Sequence, residues 1–250
     1  MFIDTHCHLT YDFDDNVDAV VKRAQKAGVG ALICATANPN DIHGALRIAN
    51  DYDNVFITTG IHPEYINANP YEYLTDEVLN NPYVIGIGEI GLDYHYGTQT
   101  RDAQIKLFES QLQIAYNHNM PIAVHTRDAE DDTKAILTDK FHGVMHCFTS
   151  SWDLARTMLD RGFYFSASGI ITFKNSESVR ETFAKIPNDR IVIETDSPYC
   201  APVPYRGKKC EPSMVIETAK VLAQIKNLRL DELENILFKN TKHLYSRIKL

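Results

Sequence analysis

Short apolar runs alternate with amphipathic stretches from one end of the chain to the other. The apolar runs predict strands over residues 2–4, 31–35, 55–59, 84–88, 122–125, 143–147, 163–167 and 191–195. Amphipathic segments predict helices over 16–27, 41–51, 101–117, 130–139, 153–160, 177–185 and 212–224. In the segment 101–117, Ala103, Leu107, Leu112 and Ile114 supply the apolar positions among largely polar ones. Residues 69–79 form a less regular helix, and 230–248 add a helical layer beyond the last unit. Strands alternating with helices imply right-handed βαβ units and a parallel sheet. Eight such units in 250 residues fit a (β/α)8 TIM barrel. A doubly wound open sheet is the alternative.

Composition leaves that picture intact and narrows the setting. A chain of this length buries roughly 70–75% of its extended surface, so it folds without a disulfide or structural metal. No repeat, low-complexity stretch or Pro/Gly-rich linker divides it, so residues 1–250 read as one domain. Asp and Glu number 33 against 25 Lys and Arg, a formal net charge of -8. That excess argues against a surface that coats nucleic acid, while leaving room for a local phosphate site. The five cysteines, Cys7, Cys34, Cys147, Cys200 and Cys210, are scattered without a Cys-x-x-Cys pair, which fits a reducing compartment. The first residues show neither the basic nor the apolar segment of a secretory signal, and no apolar run is long enough to span a membrane. The expectation is a cytoplasmic protein with no obligatory protein partner.

The sharpest chemical feature is Asp4-Thr5-His6-Cys7-His8, directly after the first strand. In extended chain His6 and His8 share one face, within reach of one cation, while Cys7 points away. Alone, the pair is equally compatible with incidental polar residues at a strand end. Four more groups fall at the carboxyl ends of predicted strands: Glu89 at the fourth, His125 at the fifth, His146 at the sixth and Asp196 at the eighth. In a barrel those ends form one rim, where active sites are built. Six imidazoles and carboxylates gathered there are costly to bury unless cations satisfy them. Two divalent ions about 3.5–4 Å apart, bridged by Glu89, would do so. The nitrogen and oxygen donor set suits Zn2+, Mg2+ or Mn2+. Cys7 and Cys147 adjoin proposed ligands and by alternation face away, as packing residues. Gly86-x-Gly88-x-x-Gly91 matches a dinucleotide fingerprint, but residues 92–97 read as a loop rather than the helix that motif requires. These glycines are instead expected to let backbone approach the metal site closely.

The ordered blocks Phe2-Ile3-Asp4-Thr5-His6-Cys7-His8-Leu9, Gly60-Ile61-His62-Pro63, Gly88-Glu89-Ile90-Gly91-Leu92-Asp93-Tyr94, Pro121-x-x-x-His125-x-Arg127, His146-Cys147-Phe148, Glu194-Thr195-Asp196-Ser197-Pro198 and Pro202-x-Pro204-x-Arg206-Gly207-Lys208 resemble the TatD family of metal-dependent hydrolases over the whole chain. The resemblance implies a TIM barrel of the amidohydrolase type, a divalent metal site and hydrolysis of phosphodiester bonds, typically in DNA. It also implies that His6, His8, Glu89, His125, His146 and Asp196 are the metal ligands. Thr10, Ser150 and Cys210 depart from the family's usual residues, and none of the three is a proposed ligand.

Under that resemblance, Asp196 holds a metal and orients or deprotonates the attacking water, with a ligand-only role as the alternative. Glu194, on the same strand face, supports a ligand or forms a salt bridge. Arg127 presents a guanidinium fork to phosphate or forms a surface salt bridge, His62 contacts phosphate or leaving group or packs as a structural histidine, and Arg206 with Lys208 and Lys209 holds the substrate backbone, the two lysines being equally compatible with a solvated loop charge run. Tyr94 and Tyr205 are candidates to stack a base. The activity expected is exonucleolytic cleavage of single-stranded DNA or strand ends. Two other readings compete: an amidohydrolase or esterase acting on a C–N bond or an aminoacyl ester such as that of D-aminoacyl-tRNA, and a metal-bound binding protein without turnover.

Overall fold

The structure is a computed structural model describing residues 1–11, 13 and 16–250. Eight strands alternate with helices: β1 Phe2–Cys7, α1 Val17–Lys26, β2 Val29–Thr36, α2 Ile42–Asp51, β3 Val55–Thr59, α3 Pro70–Tyr73, α4 Asp76–Leu79, β4 Val84–Asp93 and α5 Arg101–His118. The order continues through β5 Ile122–Arg127, α6 Glu130–Ile136, β6 Gly143–Met145, α7 Trp152–Asp160, β7 Tyr164–Ala167, α8 Glu177–Lys185, β8 Ile191–Ile193, α9 Val215–Lys226 and α10 Leu230–Leu244. Every neighbouring strand pair is parallel, and the sheet runs β1 to β8 in chain order. A bridge between Cys7 and Ser197 returns the end of the sheet to its beginning. This is a TIM barrel, and the sequential strand order excludes the doubly wound alternative.

All eight strands fall where apolar runs predict them, but their ends move. Strand β4 continues to Asp93 because Leu92 and Asp93 pair with Thr126 and Arg127 of β5. Residues 92–93 are therefore strand, not the start of a loop, and Glu89 lies inside β4 rather than after it. The less regular helix over 69–79 is two single turns, each with its own cap. Asn69 accepts from the Tyr71 N–H, and Thr75 accepts from the Val78 N–H.

Two apolar layers hold the barrel. Outward-facing strand residues such as Leu32, Ile57, Ile87 and Phe165 pack with helix residues including Val20, Ala45, Phe108 and Leu222. Ile3, Ile33, Phe56, Ile85, Ala123, Val144 and Val192 form a separate interior cluster with Leu244, Tyr245 and Ile248. The chain after α10 thus closes the amino-terminal end of the barrel, a plug that the simple extra helical layer did not anticipate. Gly86 makes room for it, since a Cβ there would lie 3.1 Å from the Tyr245 ring. The fingerprint glycines likewise serve strand packing rather than close approach to a metal: a Cβ on Gly91 would sit 2.0 Å from the His125 carbonyl oxygen.

A buried acid closes the barrel between β1 and the residues after β8. Asp4 accepts hydrogen bonds from the Thr195 N–H at 2.9 Å and the Thr195 hydroxyl at 2.6 Å. Burial pushes its carboxyl up to about 8 from 3.8, against the opposing pull of the Thr195 hydrogen bonds. The folded chain then keeps a proton on Asp4 at pH values where the unfolded chain has lost it. Stability from this group therefore falls as pH rises through that interval. In chelator-treated protein, the wild-type chain should lose at least about 1 kcal/mol more than Asp4→Asn between acid and mildly alkaline pH, since one pKa unit is worth about 1.4 kcal/mol. Urea midpoints at about pH 5 and about pH 8 measure this, and parallel profiles for the two proteins would rule it out.

Candidate metal centre

His6 and His8 reach the barrel mouth through an irregularity in β1. Ile3 belongs to the interior cluster, and the Thr5 hydroxyl lies 3.4 Å from that of Ser166 inside the barrel. Strict alternation would next turn Cys7 inward, yet Cys7 joins the outer layer and donates to the Ile33 carbonyl. The register shift between Asp4 and Cys7 changes the phase, leaving His6 and His8 turned to the centre. A comparable shift between Ile87 and Ile90 surrounds Glu89 in β4.

Glu89 is buried, and its two oxygens divide the histidines between them. Oε2 lies 3.5 Å from His6 Nε2 and 3.8 Å from His8 Nε2. Oε1 lies 2.8 Å from His125 Nδ1, 3.4 Å from His146 Nε2 and 3.8 Å from His62 Nε2. Asp196 adds Oδ1 at 3.4 Å from His8 Nε2 and 4.0 Å from His146 Nε2. The six residues singled out from the sequence thus converge.

Their chemistry fits divalent cations. Neither ring nitrogen of His6 has a hydrogen-bond partner among the described residues, although the ring is buried. A buried, unpaired donor and acceptor is costly, and an ion would satisfy it. Burial pulls the His6 imidazole below its ordinary value, which favours the neutral form that binds metal. Burial alone would raise the Glu89 carboxyl, but His146, His125 and His6 outweigh it and hold the group well below the usual carboxylate range. The hydrogen bond with His8, followed by the charges of His146 and His6, lowers Asp196 against burial. Both acids are therefore anionic and able to face cations.

Surrounding groups fix the rings. The His8 Nδ1–H donates to the Ala35 carbonyl at 3.0 Å, leaving Nε2 for the centre. His146 Nδ1 lies 2.9 Å from Glu194 Oε1, so Glu194 orients a candidate ligand. The Cys147 N–H also donates to Glu194 Oε1 at 2.7 Å. Two buried glutamines on α5 hold strand-end backbone: Gln111 grips both polar groups of Ile61, and Gln104 grips both of Asp93. These polar positions escape an apolar-spacing argument, because they face inward for hydrogen bonding. Asp93, itself missed as a site residue, lies 3.1 Å from His125 Nε2 and pairs with it. His62, Asp93 and His125 bring donor atoms within 4.8 Å of one another, so His62 stands beside the centre.

The centre floors a cleft of about 650 Å³, a size ordinary for small-ligand sites. Arg127 lines it and lies 5.8 Å from the Tyr96 ring centroid. Arg206 does not line it, and its guanidinium instead sits 4.0 Å above the Phe173 ring. Lys208 lies over the Tyr205 ring, away from the cleft. Tyr94 donates to Asp132 at 2.7 Å, within an Arg101–Asp132 pair, and does not face the cleft either. The aromatic groups at the mouth are Tyr11, Tyr96 and Tyr199, with Tyr96 87% and Tyr199 55% exposed. Cys147 corrects the sequence expectation: it lines the cleft rather than packing away from it, because its φ of 41° breaks the strand alternation after β6.

Comparison with known proteins agrees with this geometry. The family model described as TatD related DNase matches residues 3–246. The chain is 36% identical to the uncharacterized metal-dependent hydrolase YabD of Bacillus subtilis, covering 98% of this chain and 99% of that protein. It is 39% identical to the uncharacterized metal-dependent hydrolase YcfH of Escherichia coli, covering 97% and 95%. Among solved structures, the TatD homologue YJJV of Escherichia coli superposes with a TM-score of 0.90 at 27% identity, covering 98% of each chain. A barrel of this order, a histidine and carboxylate cluster at its mouth and a family match over nearly all residues lead to one conclusion: the chain belongs to the TatD related DNase family and is a metal-dependent hydrolase.

Proposed function

We propose that the protein hydrolyses DNA phosphodiester bonds as an exonuclease on single strands or strand ends. The observation that carries this reading is the Glu89 carboxylate, with one oxygen toward His6 and His8 and the other toward His125 and His146. Two divalent cations, Mg2+, Mn2+ or Zn2+, would be held by His6, His8, Glu89, His125, His146 and Asp196, with Glu89 shared between them. Bound there, the ions supply Lewis acidity toward water and toward a phosphate oxygen.

The chain's own groups do the rest. Asp196 is anionic and at the cleft, so its carboxylate holds and orients the attacking water and accepts its proton. Arg127 offers a bidentate fork to the phosphate, and His62 approaches the phosphate or leaving group from the Glu89 side. Tyr96 and Tyr199, rather than Tyr94 and Tyr205, stack bases at the mouth. Arg206 lies outside the cleft, so its contact is with substrate beyond the reacting phosphate. With a net charge of -8 the surface recruits polyanion weakly, which favours short or terminal segments over coated duplex. Among the described residues no helix is long and apolar enough to cross a membrane, and scattered free cysteines support a cytoplasmic setting.

Strands labelled at the 3′ or the 5′ end, digested with each metal and with chelator, test the activity and give its polarity. Metal-dependent loss of nucleotides from one end is expected; hydrolysis of an aminoacyl ester without strand cleavage would overturn the nuclease reading. Glu89→Ala should weaken metal binding by at least about 100-fold, since even an outer partner of a metal ligand is worth about 10–100-fold. It should also abolish turnover, with metal content read by elemental analysis. Arg127→Ala should lower kcat/KM about 10- to 100-fold, the worth of a hydrogen bond to a charged group, with metal content unchanged. Loss of metal in that variant would reassign Arg127 to holding the centre.

A further inference from the structure

Beside the histidine centre lies a donor set of different chemistry. Cys147, Asp196 and Cys200 bring their ligand atoms within 4.8 Å of one another. Cys147 follows β6 and Cys200 lies in the loop after β8, so the grouping exists only in the closed barrel. Both cysteines are free, half-buried and line the cleft, unlike the buried Cys7, Cys34 and Cys210. Sequence alternation had turned Cys147 away, and the N and O donor set read from the sequence contained no thiolate.

Asp196 links the two groups. Its Oδ1 faces His8 Nε2 at 3.4 Å, while its Oδ2 accepts from the Cys200 thiol at 3.5 Å. The carboxylate therefore turns one oxygen to the imidazoles and the other to the sulfurs. Cys147 stands ready on the far side, its thiol 3.1 Å from the Ser168 hydroxyl and its backbone held by Glu194. A tetrahedral ion with thiolate ligands at about 2.3 Å sets its two sulfurs just under 4 Å apart, and the two sulfurs here lie within 4.8 Å of one another. Two sulfurs and one carboxylate oxygen leave a fourth position open to the cleft, and soft ligands of this kind select Zn2+ and its thiophilic neighbours over Mg2+.

We propose that Cys147, Cys200 and the outer oxygen of Asp196 form a second metal site, for a thiophilic divalent cation, adjoining the histidine centre through Asp196. Occupancy of this site would displace the two thiol protons to solvent and form two metal–sulfur bonds, with no change of oxidation state, and the Asp196 oxygen that it takes would no longer accept the proton of an attacking water. The site does not depend on which bond the enzyme cleaves.

Cobalt reports the two donor sets separately. Titration of the reduced chain with Co2+ should produce a near-ultraviolet thiolate-to-metal charge-transfer band. That band should vanish in the Cys147→Ser, Cys200→Ser double variant, while visible bands from histidine-bound cobalt persist and show that the variant is folded. An equally strong band in the double variant, or none in the wild-type chain at saturating Co2+, would overturn the proposal. A second measurement needs no variant. Zn2+ should protect two thiols of the native chain from a thiol-modifying reagent, and Mg2+ should protect none. Unprotected thiols in saturating Zn2+ would also overturn it.

Discussion

The structure depends on keeping a charged carboxylate, Glu89, buried at the mouth of an apolar barrel. An isolated anion there is costly by several kcal/mol. Five imidazoles within 4 Å of its oxygens, those of His6, His8, His62, His125 and His146, offset that cost. So many imidazoles around one acid cannot all be protonated, since His6 is pulled toward its neutral form by burial and by His146. Cations are the natural complement, and the rest of the site follows: His8 and His146 are turned by Ala35 and Glu194 so that their free nitrogens meet at Glu89 and Asp196.

The barrel separates stability from chemistry along its axis. Its amino-terminal end is filled with Ile33, Phe56, Ile85 and Val192 and plugged by Tyr245 and Ile248. Its carboxyl end holds acids, imidazoles and the cleft. Asp4 and Thr195 join β1 to the region after β8 just below the histidines. Closure of the barrel and placement of His6 and Asp196 are consequently one event: the Asp196 N–H donates to the His6 carbonyl across the same seam.

Much of this was legible in the residues. Each strand announces itself by an apolar run, because a parallel strand covered on both faces is apolar throughout. The six centre residues stand out because imidazoles and carboxylates at strand ends need a chemical reason to be there. Less legible were Gln104 and Gln111, whose inward positions look solvent-facing by composition, and which bury their amides to hold Asp93 and Ile61. Also less legible was which tyrosines line the cleft: Tyr96 and Tyr199 do, while Tyr94 turns to Asp132 and Tyr205 lies outside.

By itself the sequence left the closed barrel and the doubly wound sheet both standing, and it determined the alternation of strands and helices and the identity of the metal-competent side chains. These rest on side-chain type and on periodicity, which are local properties of the chain. Tertiary structure decided where each side chain points. The register shifts in β1 and β4 turn His6 and Glu89 to the centre, the left-handed backbone at Cys147 brings its thiol to the cleft, and Asp196 divides its oxygens between two donor sets. Those outcomes are set by pairing between strands far apart in sequence and by closure of β1 onto the chain after β8, and a local pattern carries no record of either.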